Sequence, residues 1–341
     1  MQSAVELKIW PAARALPNAR VFASIVVLCM LASAAFASWL PLQISIVTLF
    51  LFAGPHNWFE FRYFLMRLPV RFGRSRNFFL TAFAGLGVLT IAYVSLPLLY
   101  NARWWSDEAW STVIATWNSL LLFWLVLLVW LRSKQKLHAN WTWTIPAGIG
   151  LCSLNWLAPD TFSLAIVYIH PLIALWFLDR HLRRTRPAWL RAYRRCLCLL
   201  PLVLAAMIWQ LSQTTPLLDS NGLFWRITQH SGAEVLPQVS SHLLVSVHMF
   251  LEMLHYGVWI VALPLIGRWA NAKFWDIKTV PVARHPKGFP RVIAGVMMLA
   301  VVAVVVLWFG FSVDYSTTRD VYFTIAIAHV LAEAPFLLRM L

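Results

Sequence analysis

Three stretches of the chain repeat one pairing, a histidine followed four residues later by a glutamate: His56-Asn-Trp-Phe-Glu60, His248-Met-Phe-Leu-Glu252 and His329-Val-Leu-Ala-Glu333. On a helix such positions share a face, so each pair presents an imidazole and a carboxylate together. In the second stretch His255 joins them, because at about 100° per residue positions 248, 252 and 255 fall within roughly 60° of one another. A fifth histidine, His170, stands directly before Pro171. Imidazole nitrogen and carboxylate oxygen are donors that suit iron, zinc or manganese, and three or four of them suffice for one ion. Eight such residues leave room for a pair of ions or for supporting partners.

Each of these residues lies in an apolar run long enough to cross a bilayer. A carboxylate at mid-membrane depth costs about 2.5–3.5 kcal/mol unless it is paired, protonated or bound to a cation. Three uncompensated glutamates would cost roughly 7–10 kcal/mol, comparable to the net stability of a whole protein. A bound cation offsets that burden. The other readings are ordinary helix–helix hydrogen bonds for the histidines, and protonation or pairing with Arg62 for Glu60.

The elements that carry these residues follow from composition. Hydrophobic residues make up 60% of the 341 and charged residues 12%, against about 45–50% and 25% in soluble proteins. The fold class is therefore all-α, a polytopic integral membrane helical bundle forming a single transmembrane domain over residues 1–341, since helices satisfy their own backbone in lipid. The net charge of +15 is carried by short basic blocks between apolar runs, which favours membrane orientation over nucleic-acid binding.

About ten transmembrane helices are expected, near residues 21–40, 42–65, 78–99, 110–131, 141–157, 161–179, 196–211, 241–266, 292–313 and 320–341. The segment 1–20 then reads as cytoplasmic, 212–240 as a long extracytoplasmic loop, and 180–195 and 268–291 as basic cytoplasmic loops. Both termini are cytoplasmic in this arrangement. It places all but Arg103, Arg226 and Arg319 of the 28 Lys and Arg on the cytoplasmic side, as the positive-inside rule requires. The first run could also be read as a cleaved signal peptide, but many spans follow it at once. A bacterial inner (cytoplasmic) membrane fits the charge bias.

The spans holding the histidines and glutamates all run from outside to inside, so depth follows from position. His170 and His329 lie about 14 Å from the outer ends, His248 to His255 about 10–21 Å, and His56 about 21 Å. All can meet in one layer. Trp58, Tyr256 and Trp259 adjoin it and are expected to line a substrate pocket. The histidines at 138, 181, 230, 242 and 285 read as solvated groups in loops or at span ends. Cys29, Cys152, Cys196 and Cys198 read as packing residues, and no phosphate loop, GxSxG or HExxH occurs.

Taken in order, Gly54-Pro55-His56 with Glu60, Ile169-His170 with Asp179, the paired ligands of the 241–266 span, and the last span with His329 and Glu333 resemble the Brp/Blh family. Its members are integral membrane beta-carotene 15,15'-dioxygenases that use histidine-bound non-haem iron. The resemblance implies that His56, His170, His248 and either Glu252 or His255 bind iron, and that the substrate is a long polyene taken from the bilayer. This chain has Glu60 where the family shows aspartate, Asn57 where it shows glycine, and a wider spacing of the histidines at 248 and 255.

The expected activity is that of a non-haem iron oxygenase or oxidase, with one or two ions, acting with O2 on a lipid or isoprenoid, carotenoid-like substrate; zinc and manganese are alternative metals. His56, His170, His248, His255 and His329 would ligate, Glu60, Glu252 and Glu333 would bridge or act in catalysis, and an electron donor is a further partner. A haem or quinone electron carrier and a proton-coupled transporter with a His/Glu relay are the competing classes.

Overall fold

The structure, a computed structural model, describes residues 18–69, 72–104, 106–135, 141–217, 222–266, 280–286 and 290–340. Its helices are α1 (Ala19–Trp39), α2 (Pro41–Arg67), α3 (Arg76–Asn101), α4 (Asp107–Ser133), α5 (Thr144–Leu157), α6 (Pro159–Thr185), α7 (Pro187–Leu197), α8 (Leu200–Leu211), α9 (Gly222–His230), α10 (Ser241–Tyr256), α11 (Leu263–Ile266), α12 (Pro281–Arg284), α13 (Pro290–Val313) and α14 (Tyr315–Met340). There is no strand among the described residues, and eight helical segments are long and apolar enough to cross a membrane.

Those eight are fewer than the ten expected, and the two missing have separate reasons. At 27 residues α2 reaches about 40 Å, but Gln43, His56 and Asn57 dilute its apolar character. At 14 residues α5 reaches about 21 Å, short of the ~30 Å hydrocarbon core. The basic loop expected at 180–195 is also corrected: α6 continues to Thr185 and α7 starts at Pro187, so Pro187–Leu211 forms one bent segment. The helix α7 is amphipathic, burying Trp189, Tyr193 and Cys196 while Arg191 and Arg195 face outward. Within the 212–240 loop lies α9. The segment 1–17 and most of 267–289 fall outside the described residues, and with them His138 at 136–140.

Helix starts follow local chemistry. The Oδ1 of Asn18 accepts the Val21 N–H at 2.9 Å, and Pro41, Pro159 and Pro187 open their helices where a missing N–H costs nothing. Asp314, between α13 and α14, accepts the Thr317 N–H at 3.1 Å. The Thr317 bonds hold its carboxyl below the ordinary carboxylate value.

The helix α10 is the hub, packing against α1, α2, α6 and α8. Half of the apolar window in the segment Ser241–Ile266 is buried, against 11% in α13, so α10 is packed into protein while α13 exposes most of its apolar surface. The short α5 is fastened by polar contacts, with Asn118 Nδ2 donating to Asn155 Oδ1 at 2.9 Å and to Ser163 at 3.0 Å. Interhelical bonds of this kind contribute about 0.6 kcal/mol each in a membrane.

Close approach of α3 and α4 depends on Gly85, where an added Cβ would overlap the indole of Trp124. That ring cannot swing aside freely, because it is buried and its Nε1 donates to the Thr81 carbonyl at 3.0 Å. Gly85→Ala is expected to destabilise the fold by about 1–3 kcal/mol, read as a lower thermal midpoint of the detergent-solubilised protein. An unchanged midpoint would mean that the two helices separate without penalty.

Candidate metal centre

Four helices bring the site together: α2 carries His56 and Glu60, α6 carries His170, α10 carries His255, and α14 carries His329 and Glu333. Both α10 and α14 pack against α2 and α6. Each of these four helices carries a proline or a π-turn close to these residues. Pro55 precedes His56, Pro171 follows His170, and Pro335 lies two residues beyond Glu333. In α10 the break is a π-helical turn, Gly257–Ala262, starting two residues after His255. Prolines and π-turns bend a helix and re-aim its side chains, and π-turns occur often at functional sites.

One donor atom from each of His56, Glu60, His255 and His329 lies within 4.8 Å of every other. The rings interlock, with centroid separations of 5.2 Å for His56–His255, 5.1 Å for His56–His329 and 4.7 Å for His170–His255. The Nε2 atoms of His170 and His329 stand 3.2 Å apart. Two nitrogens bound at 2.0–2.1 Å to one tetrahedral ion stand about 3.3 Å apart, so this spacing suits a shared cation.

The orphaned atoms test whether a cation fits. Glu60 is 1% exposed, and neither of its oxygens has a hydrogen-bond partner. His56 Nδ1 faces the Phe52 carbonyl at 3.3 Å, while its Nε2 is buried and lacks a partner. If Nδ1 carries the proton, Nε2 is a bare lone pair aimed at the other donors. On α6, His170 Nδ1 lies 3.1 Å from Glu333 Oε2. This is the carboxylate–histidine pairing that orients metal-bound imidazoles elsewhere. The donor set therefore fits a transition-metal ion.

His248 and Glu252 lie beside this group rather than within it. Their side chains are 3.7 Å apart, and the His248 ring meets Tyr168 at 5.7 Å and His230 at 5.2 Å. Seven residues of helix put His255 about 10 Å farther along the axis, so a stripe that is continuous in angle is divided in depth.

The pocket residues separate in the same way. Tyr256 packs 4.8 Å from the His56 ring and lines a narrow cleft with His248 and Glu252. Trp259 is buried among Tyr63, Phe64 and Phe177, its ring 6.5 Å from His255. Trp58 packs with Leu65, Val280, Ile293 and Met297. Asp179 is engaged by Arg194 at 2.7 and 3.1 Å, away from the histidine group.

Three histidines expected to be solvated engage other groups instead. His181 is buried and meets Arg67 at 3.2 Å, and His242 Nε2 meets the Ser38 carbonyl at 2.9 Å. His230 stacks on Phe323 at 4.0 Å beside His248. Burial, and then the neighbouring Arg319 and His248, drive His230 below the ordinary imidazole value, which favours its neutral form.

Sequence reasoning also passed over Arg319, which is only 4% exposed and lies over the Phe323 ring at 4.7 Å. The signal was present: Arg226 and Arg319 break the positive-inside pattern, and both lie here, Arg226 paired with Asp320. No family model, curated protein or solved structure matches the chain.

Proposed function

We propose that the chain is an integral membrane, metal-dependent oxidoreductase, a non-haem iron oxygenase or oxidase that acts with O2 on a lipid or isoprenoid substrate. The observation that carries this reading is the buried nest of His56, Glu60, His255 and His329 with converging, unsatisfied donor atoms. His170 and Glu333 adjoin it, so the same residues accommodate one ion with an orienting carboxylate, or two ions. The motif order that resembles the Brp/Blh family supports iron over zinc or manganese.

Iron would supply the redox chemistry that activates O2. The polypeptide does the rest. His56, His170, His255 and His329 hold the ion, Glu60 balances its charge, and Glu333 fixes the His170 ring. Buried aromatic groups such as Tyr256 and Trp259 keep water from the donors, which strengthens every electrostatic contact there. With α2 and α5 counted as crossing segments beside the eight apolar ones, the ten-span topology has both termini in the cytoplasm of a bacterial inner membrane. An electron donor would dock on the basic cytoplasmic side.

A second reading has its own observation: His329, His170 and Glu333 form a continuous chain of short contacts, the form a proton relay takes. A haem carrier is disfavoured, because imidazoles packed edge to face or tilted at 4.7–5.2 Å leave no plane for a macrocycle between them. Elemental analysis of detergent-purified wild type and His56→Ala tests the proposal. One or two equivalents of iron are expected in the wild type, and less than about a tenth of that in the variant. A wild-type protein without a stoichiometric transition metal, yet able to move protons across vesicles, would transfer the assignment to the relay.

A further inference from the structure

Outward of the histidine nest, a narrow cleft is lined by residues of four helices and the turn after α9: Ser45, His230, Ser231, His248, Glu252 and Arg319 among them. Arg319 decides its character. It is 4% exposed, its Nε has no hydrogen-bond partner, and its carboxylate neighbour is Asp320 at 3.7 Å, beyond hydrogen-bond range. Asp320 is itself taken by Arg226. The two external charges thus satisfy each other, which leaves a buried guanidinium held over Phe323 and facing the cleft.

Burying a guanidinium without a full partner is costly, and a bidentate carboxylate is the ligand whose geometry matches it. The second carboxylate of the cleft, Glu252, sits at the α10 side against His248 at 3.7 Å and is not among the ion pairs of Arg319. His248 Nε2, 3% exposed at the residue level, also lacks a hydrogen-bond partner. The cleft therefore has a cationic wall at its outer side and ends, at Tyr256, beside the ring of His56.

The geometry points to a head-group site: the cleft takes the carboxylate of an acid-headed lipid chain, anchored by Arg319 with His230 and Ser231 beside it, so that the chain lies toward the metal nest. Helix α10 sets the distance from head to nest, about 10 Å from His248 to His255. The position of the tail rests on the proposed function, whereas the carboxylate site rests on its own residues.

The test uses the full chain in nanodiscs of zwitterionic phosphatidylcholine. Tryptophan-excited emission reports binding of cis-parinaric acid and of its methyl ester. The acid is expected to bind wild type about tenfold more tightly than the ester, and Arg319→Gln should abolish that advantage while leaving ester binding and metal content unchanged. Equal affinity of wild type for acid and ester overturns the proposal, and that comparison needs no variant to fold. Displacement of the acid by inorganic phosphate, at concentrations that leave the ester bound, would assign the cleft to a free anion and overturn the lipid source. A metal-free protein that still prefers the acid would sink the oxidoreductase reading and retain this one; a metalloprotein indifferent to the acid would do the reverse.

Discussion

Replacing His255 by alanine is expected to strip the protein of its metal, while the same change at His248, two turns earlier on α10, leaves the metal in place. The two residues share a helix and an angular stripe, so helix disruption cannot separate them. Depth does. The His255 ring lies 4.7 Å from His170 and 5.2 Å from His56, whereas the ring neighbours of His248 are Tyr168 and His230. Loss of an outer partner of a ligand typically lowers metal affinity 10–100-fold, and loss of a ligand itself should exceed that. Iron affinity, measured by competition with a chelator, is therefore expected to fall by more than about 100-fold in His255→Ala, with His248→Ala within about twofold of wild type. The motif resemblance, which counts His248 among the ligands, requires the opposite for His248. Equal metal loss in both variants would place the ion between the two groups and refute the division of the stripe.

The apolar runs and basic blocks made the bundle legible, because hydrocarbon thickness and backbone hydrogen bonding leave few options for such a chain. The segment starts at Ser241, where the apolar run indicated, and is helical through Ile266, the last residue described before 280. Convergence was legible too, for His56, His255 and His329 do meet, with the His170 ring against that of His255. Two things were not. Angular periodicity treats His248 and His255 as one stripe, and only neighbouring helices determine which depth meets which partner. The second gap was the outer cluster. His230 reads as a loop histidine because its short helix α9 is polar, and nothing local indicates that it folds back onto Phe323 of α14. Charge rules placed Arg319 outside and therefore wet, whereas packing buries it. The prolines beside His56, His170 and Glu333 are visible in the sequence, whereas Gly257 and Pro264, which flank the π-turn after His255, do not by themselves specify a π-turn.

Glu60→Gln is expected to change the sign of its effect with metal occupancy. In the metal-loaded protein Glu60 supplies the negative charge that a divalent cation needs in a low-dielectric nest. An amide keeps the shape and one oxygen but removes the charge, so it lowers metal affinity and with it the stabilisation that binding confers. After chelation the balance reverses. Both carboxylate oxygens are then buried without a hydrogen-bond partner, and an uncompensated carboxylate at this depth costs about 2.5–3.5 kcal/mol. The glutamine is cheaper to bury, although it leaves an amide in need of partners. Thermal midpoints of wild type and variant, each measured metal-loaded and after treatment with chelator, should therefore cross: the variant below wild type when loaded, and above it by roughly 5 °C when stripped. Glu333→Gln provides the internal comparison. Its carboxylate is paired with His170, Nδ1 to Oε2 3.1 Å, a pairing Glu60 lacks, so removing the charge weakens that pair in both states and the midpoint should fall in both. If Glu60→Gln likewise lowers the midpoint in both states, Glu60 has a permanent protein partner, and the unsatisfied nest on which the metal assignment stands does not exist.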